Sequence, residues 1–469
     1  MKKVAIYAVA AVALPLLALP PVLGMLTESQ VRARIAALDA SGVLKASLRT
    51  YERGWFRSRA RMSIALTPQT IARLDGLGAA LGLPPLSADL DRRAPIALEI
   101  AHGPLALLDG VYFGWSKIVA RFDPAARNVA SLERSLGVPY LFEFRGRTGF
   151  AGGVSFDATL PPVDIEAAGV HIVFSGAGVD GVFIGQRVVA DSRLDGFALT
   201  SPPGAFTLRN LRAATNIELG SSNTAPGDAT LSIEQLSIVD AARGAAPVLD
   251  AANVKIASKA GLDPNAMLLD LHATYDAGSV LLYETRVTEA SVGVALDKVD
   301  IAALETYLKL SQSGGGGNDP AAEVGRALTH ALAAGPSFVL DPLRFRVDGE
   351  PFTARVEVAA NPAALPATSA VDLDNWLALL PALRVLATVD VSKKLARDMA
   401  MLAAEMRLAD DQMSPEQRRL LADMQAGLML ATLIGQNMLV DAGDTYRAEL
   451  RFDDSGVTLN GGPLPFDLP

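Results

Sequence analysis

Polar and apolar residues alternate along many short segments of this chain. In the clearest segment, one series of every second residue is polar and the other is mostly apolar: Arg57, Arg59, Arg61 and Ser63 against Ser58, Ala60, Met62, Ile64 and Leu66. Successive side chains of a strand point to opposite faces, so the pattern predicts a strand with one face on a core. One-sided alternation is typical of antiparallel sheets, because buried parallel strands are apolar throughout.

The same alternation recurs from the first hundred residues to the C-terminus. Its apolar positions are Ile96, Leu98 and Ile100; Val154, Phe156, Ala158 and Leu160; Leu231 and Ile233; Phe352, Ala354, Val356 and Val358; and Tyr446, Ala448, Leu450 and Phe452. Clusters of Gly, Asn, Asp and Ser separate these segments, as at residues 220–223 and 453–456. The second cluster lies between two alternating segments, which predicts a hairpin turn.

Helical periodicity is less frequent. It predicts helices at residues 68–81, 300–310, 320–333, 391–408 and 414–439. The last helix begins with Ser414, Pro415 and Gln417, a serine N-cap with proline at the first helical position and a glutamine that can close a capping box. Its residues Leu421, Met424, Leu428 and Thr432 fall on one face. Together, these elements predict an α+β, β-rich fold: an elongated, mostly antiparallel curved sheet with covering helices.

The N-terminus begins with Met1, Lys2 and Lys3, and residues 4–26 carry no charge. This length matches the hydrocarbon thickness of a bilayer, so residues 1–26 form an N-terminal apolar helix that is either an uncleaved signal anchor or a cleaved signal peptide. Either interpretation exports the rest of the chain, because the two lysines keep the N-terminus in the cytoplasm. A capping box, Thr27 with Gln30, predicts that a further helix follows directly.

The predicted organisation has four parts. Residues 1–26 are the signal segment, and residues 27–310 form a β-rich N-terminal region. Residues 311–319 contain four consecutive glycines and form a flexible linker, and residues 320–469 form an α+β C-terminal region.

Composition narrows the classes of function. The chain has 469 residues, a net charge of −9 and no cysteine. An acidic chain without clustered lysine and arginine argues against nucleic acid as a partner. The four histidines are far apart in sequence, so no local spacing supports a metal site. Aromatic residues make up only 6% of the chain, so we expect a mainly aliphatic core.

Three segments have both a functional and a structural interpretation. His102, followed by Gly103 and Pro104, is either a ligand or general base or simply the end of a strand, and we favour the strand end. The arginines of residues 53–61 either contact anionic headgroups or form a solvated strand face, and we favour the solvated face. The apolar residues 426–439 either meet a membrane or partner helix or pack on the sheet, and we favour packing.

No segment has the spacing of a hydrolase elbow or a phosphate-binding loop. We therefore assign no catalytic residue, no cofactor-binding residue and no metal ligand, and we expect no cofactor.

Three segments, in this order, resemble the DUF945 (YdgA-like) family. The first is Tyr51 to Ser58 (YERGWFRS), the second is His102 to Leu105 (HGPL), and the third is Tyr446 followed by residues 456–461 (GVTLNG). With the basic and apolar N-terminus, the resemblance spans nearly the whole chain. It implies a bacterial envelope protein and supplies no catalytic or ligand residue.

The sequence thus predicts a non-enzymatic envelope protein of structural or interaction role, held in the inner membrane with its body on the periplasmic side. The alternative is a lipid-binding or lipid-transfer protein with an apolar groove in the sheet. Expected partners are the inner membrane, through the N-terminal segment, and, left open, a second copy in a homodimer or a lipid.

Overall fold

The computed structural model describes residues 28–39, 44–75, 94–125, 129–218, 226–263, 267–306, 320–365, 381–408 and 413–463, except for 30, 33–34, 37–38, 69, 73–74, 104, 168, 245, 305 and 454–455. These residues are mostly in antiparallel strands, which confirms the β-rich, mainly antiparallel prediction. They fall into two compact units, one within residues 1–223 and 233–247 and the other within 224–232 and 248–469. The predicted division at 311–319 stays a prediction, because those residues lie outside the described part.

The first unit is built on antiparallel strands that follow one another along the chain. They are β1 Leu44–Glu52, β2 Arg57–Leu66, β3 Ala94–His102, β4 Leu105–Leu107, β5 Val111–Phe113, β6 Ser116–Phe122, β7 Glu143–Thr148, β8 Val154–Leu160, β9 Val163–Ala167, β10 Val170–Phe174, β11 Ala177–Ile184, β12 Arg187–Ser201 and β13 Gly204–Glu218. A short helix, α1 Val129–Leu136, lies between β6 and β7.

The pairing in this unit runs β1–β2–β3–β6–β7–β8–β11–β12–β13. Strands β4 and β5 form a separate two-stranded hairpin. The long strand β12 pairs with β13 along one side and shares its other side between β11 and β10, and β10 pairs in turn with β9.

The predicted alternation in β2 is confirmed over residues 57–62. Arg57, Arg59 and Arg61 are exposed, and Ser58, Ala60 and Met62 are buried. The buried face joins Ile96, Leu98 and Ile100 of β3 in a core that also includes Val31 and Ile35. Residues 28–39 contain helical positions, so this segment covers the sheet with its apolar side. Ser63 and Leu66 depart from the pattern. Ser63 is buried, with its hydroxyl 2.8 Å from that of Ser47, and Leu66, at the end of the strand, is exposed.

The second unit repeats the same meander with longer strands. They are β15 Pro247–Asp263, β16 Leu268–Leu282, β17 Thr285–Asp300, β18 Ser337–Val347, β19 Glu350–Ala360, β20 Leu383–Ser392, β21 Val440–Ala442, β22 Thr445–Asp453, β23 Gly456–Leu459 and β24 Gly462–Pro463; β14 Gly227–Asp240 precedes them. Pairing runs β15–β16–β17–β18–β19–β20–β22–β23–β24, and β21 also pairs with β22. Asp453 pairs with Gly456, as the predicted hairpin requires.

Three helices belong to the second unit: α2 Pro320–Ala333, α3 Lys393–Arg407 and α4 Pro415–Gly435. The bounds of α2 match the prediction. Helix α3 packs on α4 and on β19, β20 and β22, and the buried residues of the two helices include Leu395, Ala400, Ala426 and Leu430. The capping box of Ser414 and Gln417 at the start of α4 is confirmed. Helical positions also occur within residues 68–75 and 301–306, where helices were predicted.

Helix α4 differs from the prediction in its end and in its face. It ends at Gly435 and not at Leu439, because Asn437 adopts a left-handed conformation (φ 57°) and the amide of Met438 bonds back to Leu433 O at 2.8 Å. The shared face of Leu421, Met424 and Leu428 is exposed, whereas the face on the core carries Ala422, Ala426 and Leu430.

Among the described helices, none combines the length and apolarity that a bilayer crossing requires. The predicted signal segment, residues 1–26, lies outside the described part of the chain.

Candidate functional site

Several connections meet at one end of the sheet in the first unit. The registers join Arg57 to Ala101, His102 to Ser116, Ser116 to Thr148, Thr148 to Val154, and Val154 to Phe183. Alternate connections of an antiparallel meander lie at the same end. The turn at residues 53–56, the connection at 103–115 and the turn at 149–153 are therefore neighbours. Two of the three segments that resemble DUF945 meet here.

A buried hydrogen bond closes this end. Ser58 lies on the inner face of β2 and His102 is the last residue of β3, and the Ser58 hydroxyl lies 2.7 Å from His102 Nε2. Both side chains are fully shielded from solvent. The His102 amide donates to Phe56 O at 2.8 Å, so the histidine binds the turn through both its side chain and its backbone. Gly103 follows with φ 108°, which lets the chain leave the strand at once.

Burial changes the titration of the aromatic polar groups in this cluster. Desolvation lowers the pKa of His102, so the neutral imidazole is favoured. His102 Nδ1 has no hydrogen-bond partner among the described residues. Burial raises the pKa of Tyr51, and the nearby Ser58 hydroxyl opposes that shift. The cluster is therefore neutral near pH 7.

The hairpin of β4 and β5 is apolar on both faces. Its inner face, with Ala106, Leu108 and Tyr112, packs on Ala101 and Val119 of the sheet. Its outer face exposes Leu107, Val111 and Phe113. Arg57 ties the hairpin to β2, because its guanidinium donates to Leu107 O at 2.8 Å.

Further exposed apolar residues surround the hairpin face. Trp55 and Phe56 form the turn before β2, Phe150 lies in the turn after β7, and Ile184 ends β11. We call this surface the aromatic end; its residues are Trp55, Phe56, Leu107, Val111, Phe113, Phe150 and Ile184. Every exposed tryptophan and phenylalanine among the described residues belongs to it.

A buried carboxylate fixes the strands behind the hairpin. Glu143 is 1% exposed, and Arg121 Nε donates to its Oε2 at 2.5 Å while Arg145 Nη2 lies 2.6 Å from its Oε1. Arg145 also meets Asp109 at the tip of the hairpin at 3.3 Å. Lys117 is buried and donates to Asp109 O at 2.5 Å. These contacts hold the hairpin in place.

The described chain begins at the same end. Glu28 forms an ion pair with Arg53, which directly precedes the turn of Trp55 and Phe56. Hydrogen bonds from Arg53, and then from Arg32, lower the pKa of Glu28. The uncharged residues 4–26 therefore precede a residue that is held next to the aromatic end.

This geometry favours the structural interpretation of His102. A serine and a histidine at hydrogen-bond distance are the beginning of a nucleophilic pair, but both are sealed from solvent, behind the half-buried Tyr51. The other three histidines lie elsewhere, each beside an aspartate: His171 with Asp164, His272 with Asp297 and His330 with Asp300. Within the described residues, no group of three or more metal-binding side chains occurs.

The favoured interpretation of the arginine segment also has structural support. Arg53, Arg59 and Arg61 each meet a carboxylate, Glu28, Glu99 and Asp123 respectively. Arg57 differs, because its described partner is a backbone carbonyl.

Sequence reasoning did not identify the hairpin at residues 105–113. The signal was present: Asp109 and Gly110, both with positive φ, lie between two short apolar segments. Each strand has only three residues, which is too short for alternation to be visible.

The family model described as "Bacterial protein of unknown function (DUF945)" matches residues 1–467. No curated protein and no solved structure matches the chain.

Proposed function

Because the chain belongs to the DUF945 family of bacterial proteins, we propose that it is an exported envelope protein that acts by binding and not by catalysis. Its N-terminal segment forms an apolar helix in the inner membrane, and its body lies in the periplasm as an elongated, curved sheet with covering helices. The observation that carries the proposal is the uncharged stretch at residues 4–26, whose length suits a bilayer and which leads directly to Glu28.

The sealed pair of Ser58 and His102 supports a binding role. A catalytic group must reach its substrate, and these two side chains have no contact with solvent. The exposed apolar side chains at the same end are instead available for contact with a partner.

Cell fractionation tests the location. We expect the chain in the inner-membrane fraction, resistant to carbonate extraction, with its body degraded when protease is added to spheroplasts. A body that stays soluble and protected from the protease would contradict the proposal. The mass of the purified chain then separates the two interpretations of residues 1–26, since a cleaved signal peptide removes them.

Lipid handling is the second candidate, and one observation favours it. In β14, the polar residues Asp228, Thr230 and Glu234 are exposed, whereas Leu231 and Ile233 on the other face are only half-buried. Within the described residues, the three buried apolar clusters contain no residue of β12 to β17. An aliphatic face that is incompletely covered suits acyl chains. Native mass spectrometry of the full chain should then find bound phospholipid, and a lipid-free mass would reject this candidate.

A homodimer is the remaining partner to propose, and helices α3 and α4 supply a surface. Their outer face exposes Met399, Leu402, Met406, Met424 and Leu428. An apolar helical face of this kind is suited to isologous pairing. Leu428→Lys should shift the sedimentation coefficient from dimer to monomer, and Thr285→Lys, exposed at the start of β17, serves as the control outside this helical face. A wild-type monomer would reject the homodimer.

A further inference from the structure

The aromatic end concentrates apolar side chains where a soluble domain normally has few. Trp55, Phe56, Phe113 and Phe150 are 56%, 53%, 71% and 52% exposed, and Leu107, Val111 and Ile184 beside them are 62%, 66% and 64% exposed. Single exposed apolar residues are common, whereas a cluster of aromatic residues on adjacent connections marks a contact surface.

The position of this surface relative to the start of the described chain indicates its partner. Glu28 and Arg53 form an ion pair, and Trp55 is two residues beyond Arg53. Residue 27 is bonded to Glu28, and the 23 residues before it, 4–26, are uncharged. A segment of that length that spans a bilayer reaches the membrane surface near Glu28, which brings the aromatic end to the headgroup layer.

The composition of the surface agrees with this partner. Tryptophan and arginine are favoured at the boundary between hydrocarbon and headgroups, where each side chain finds both an apolar and a polar environment. Phenylalanine contributes apolar area that is buried at the acyl side of this boundary. Arg57 is exposed and its described partner is the carbonyl of Leu107, so its positive charge faces no carboxylate among the described contacts. Anionic headgroups complement that charge.

We propose that the aromatic end docks on the surface of the anionic bilayer that holds the N-terminal segment, with the outer face of the β4–β5 hairpin against the lipid. This inference rests on the proposed membrane location. It adds that the body lies against the membrane through a defined surface and does not hang free from a tether. The docked hairpin also fixes the orientation of the first unit.

Fluorescence quenching by lipids brominated in the acyl chains tests the contact. The full chain is reconstituted in vesicles of phosphatidylcholine and phosphatidylglycerol, with and without bromine. The difference in emission between the wild type and Trp55→Phe reports Trp55 alone, because the substitution leaves the other tryptophans in place. We expect bromine to reduce that emission by about two-fold, since a ring at the interface lies within reach of the brominated acyl chains.

The matched control places a tryptophan on an exposed apolar position at the opposite end of the first unit. Leu160 is the last residue of β8, whose first residue, Val154, lies at the aromatic end, and it is 42% exposed, so Leu160→Trp in the Trp55→Phe background should show no quenching by bromine. A double change of Val111→Ser and Phe113→Ser removes apolar area from the hairpin without touching the core, and it should weaken the quenching of Trp55.

Two outcomes overturn the docking while leaving the proposed location intact. In the first, the chain floats with the vesicles but brominated lipid leaves the emission of Trp55 unchanged. In the second, neither acrylamide in the aqueous phase nor brominated lipid quenches Trp55, which means that protein covers the ring. A chain that does not float with vesicles instead defeats the proposed function itself. The two failures are thus distinguishable.

Discussion

The hydroxyl oxygen of Ser58 lies 2.7 Å from Nε2 of His102, and neither side chain is accessible to water. The two residues come from adjacent strands, β2 and β3, and close the sheet behind the turn of Trp55 and Phe56. Because both are buried, each depends on the other for its hydrogen bond. This dependence gives measurable consequences.

Ser58→Ala should destabilise the protein by about 1–3 kcal/mol, because it leaves a buried imidazole nitrogen without a partner. The shift of the urea midpoint measures the loss. Ser63→Ala is the matched control: Ser63 is also buried on β2, but its partner Ser47 is exposed and can bind water instead. The control should cost less than about 1 kcal/mol. Equal losses of stability in the two variants would show that the hydrogen bond to His102 contributes no more than the one between Ser63 and Ser47.

The free energy of unfolding should decrease as the pH is lowered, because His102 becomes protonated. Its pKa is lowered by burial, so the unfolded chain binds the proton more readily than the folded chain. The contribution is fully present above about pH 6.5, the unfolded value, and is lost as pH falls below it towards the folded pKa. The slope reaches about 1.4 kcal/mol per pH unit.

Urea midpoints at several pH values from 7.5 to 5 check this, and His102→Gln should remove the slope in that window. NMR titration of the wild-type imidazole gives an independent reading. An imidazole of the folded protein that titrates at or above its unfolded value would contradict the prediction.

Gly54→Ala and Gly427→Ala should act in opposite directions. A Cβ on Gly54 would lie 2.1 Å from Arg57 O, so the turn that carries Trp55 must rearrange, and we expect a loss of about 1–3 kcal/mol. A Cβ on Gly427, within α4, meets nothing within 4 Å, and the change should stabilise the helix by about 0.5–1 kcal/mol. Thermal or urea unfolding of the pair measures both signs, and a gain at Gly54 would refute the close contact.

Glu143→Gln should cost roughly 1.5–3 kcal/mol, because it removes the charge from a buried group that two arginines bind. Glu99→Gln is the control: the Glu99 side chain is 45% exposed and meets Arg59 at 3.9 Å, and the loss of stability should stay within about 0.5 kcal/mol. Urea unfolding compares the two. A neutral Glu143→Gln would mean that water reaches the carboxylate.

Features that depend on neighbouring residues in the sequence were predicted well. The alternation of β2, the bounds of α2 and the capping box of Ser414 and Gln417 each depend on residues within one turn or a few strand positions. Local chemistry is enough to specify them, since propensity and capping act over short distances.

Features that depend on which strands pair, and in which register, could not be predicted. Ser58 and His102 are 44 residues apart, and only the register that sets Ser58 opposite Ile100 brings them together. The buried face of α4 was not predicted, for another reason. Ala422 and Ala426 allow the close approach of α3, whereas the larger Leu421, Met424 and Leu428 point outwards. Hydrophobicity alone favours the large side chains, so it selected the exposed face.

The meander of the second unit determines how the protein would respond to mechanical load. From β15 to β20, each strand is hydrogen-bonded to its neighbour in sequence. Tension along the chain would therefore separate one hairpin after another from the edge, breaking a few bonds at a time, and would not have to shear the whole sheet at once. The second unit would therefore lengthen stepwise under load and close again when the load ends.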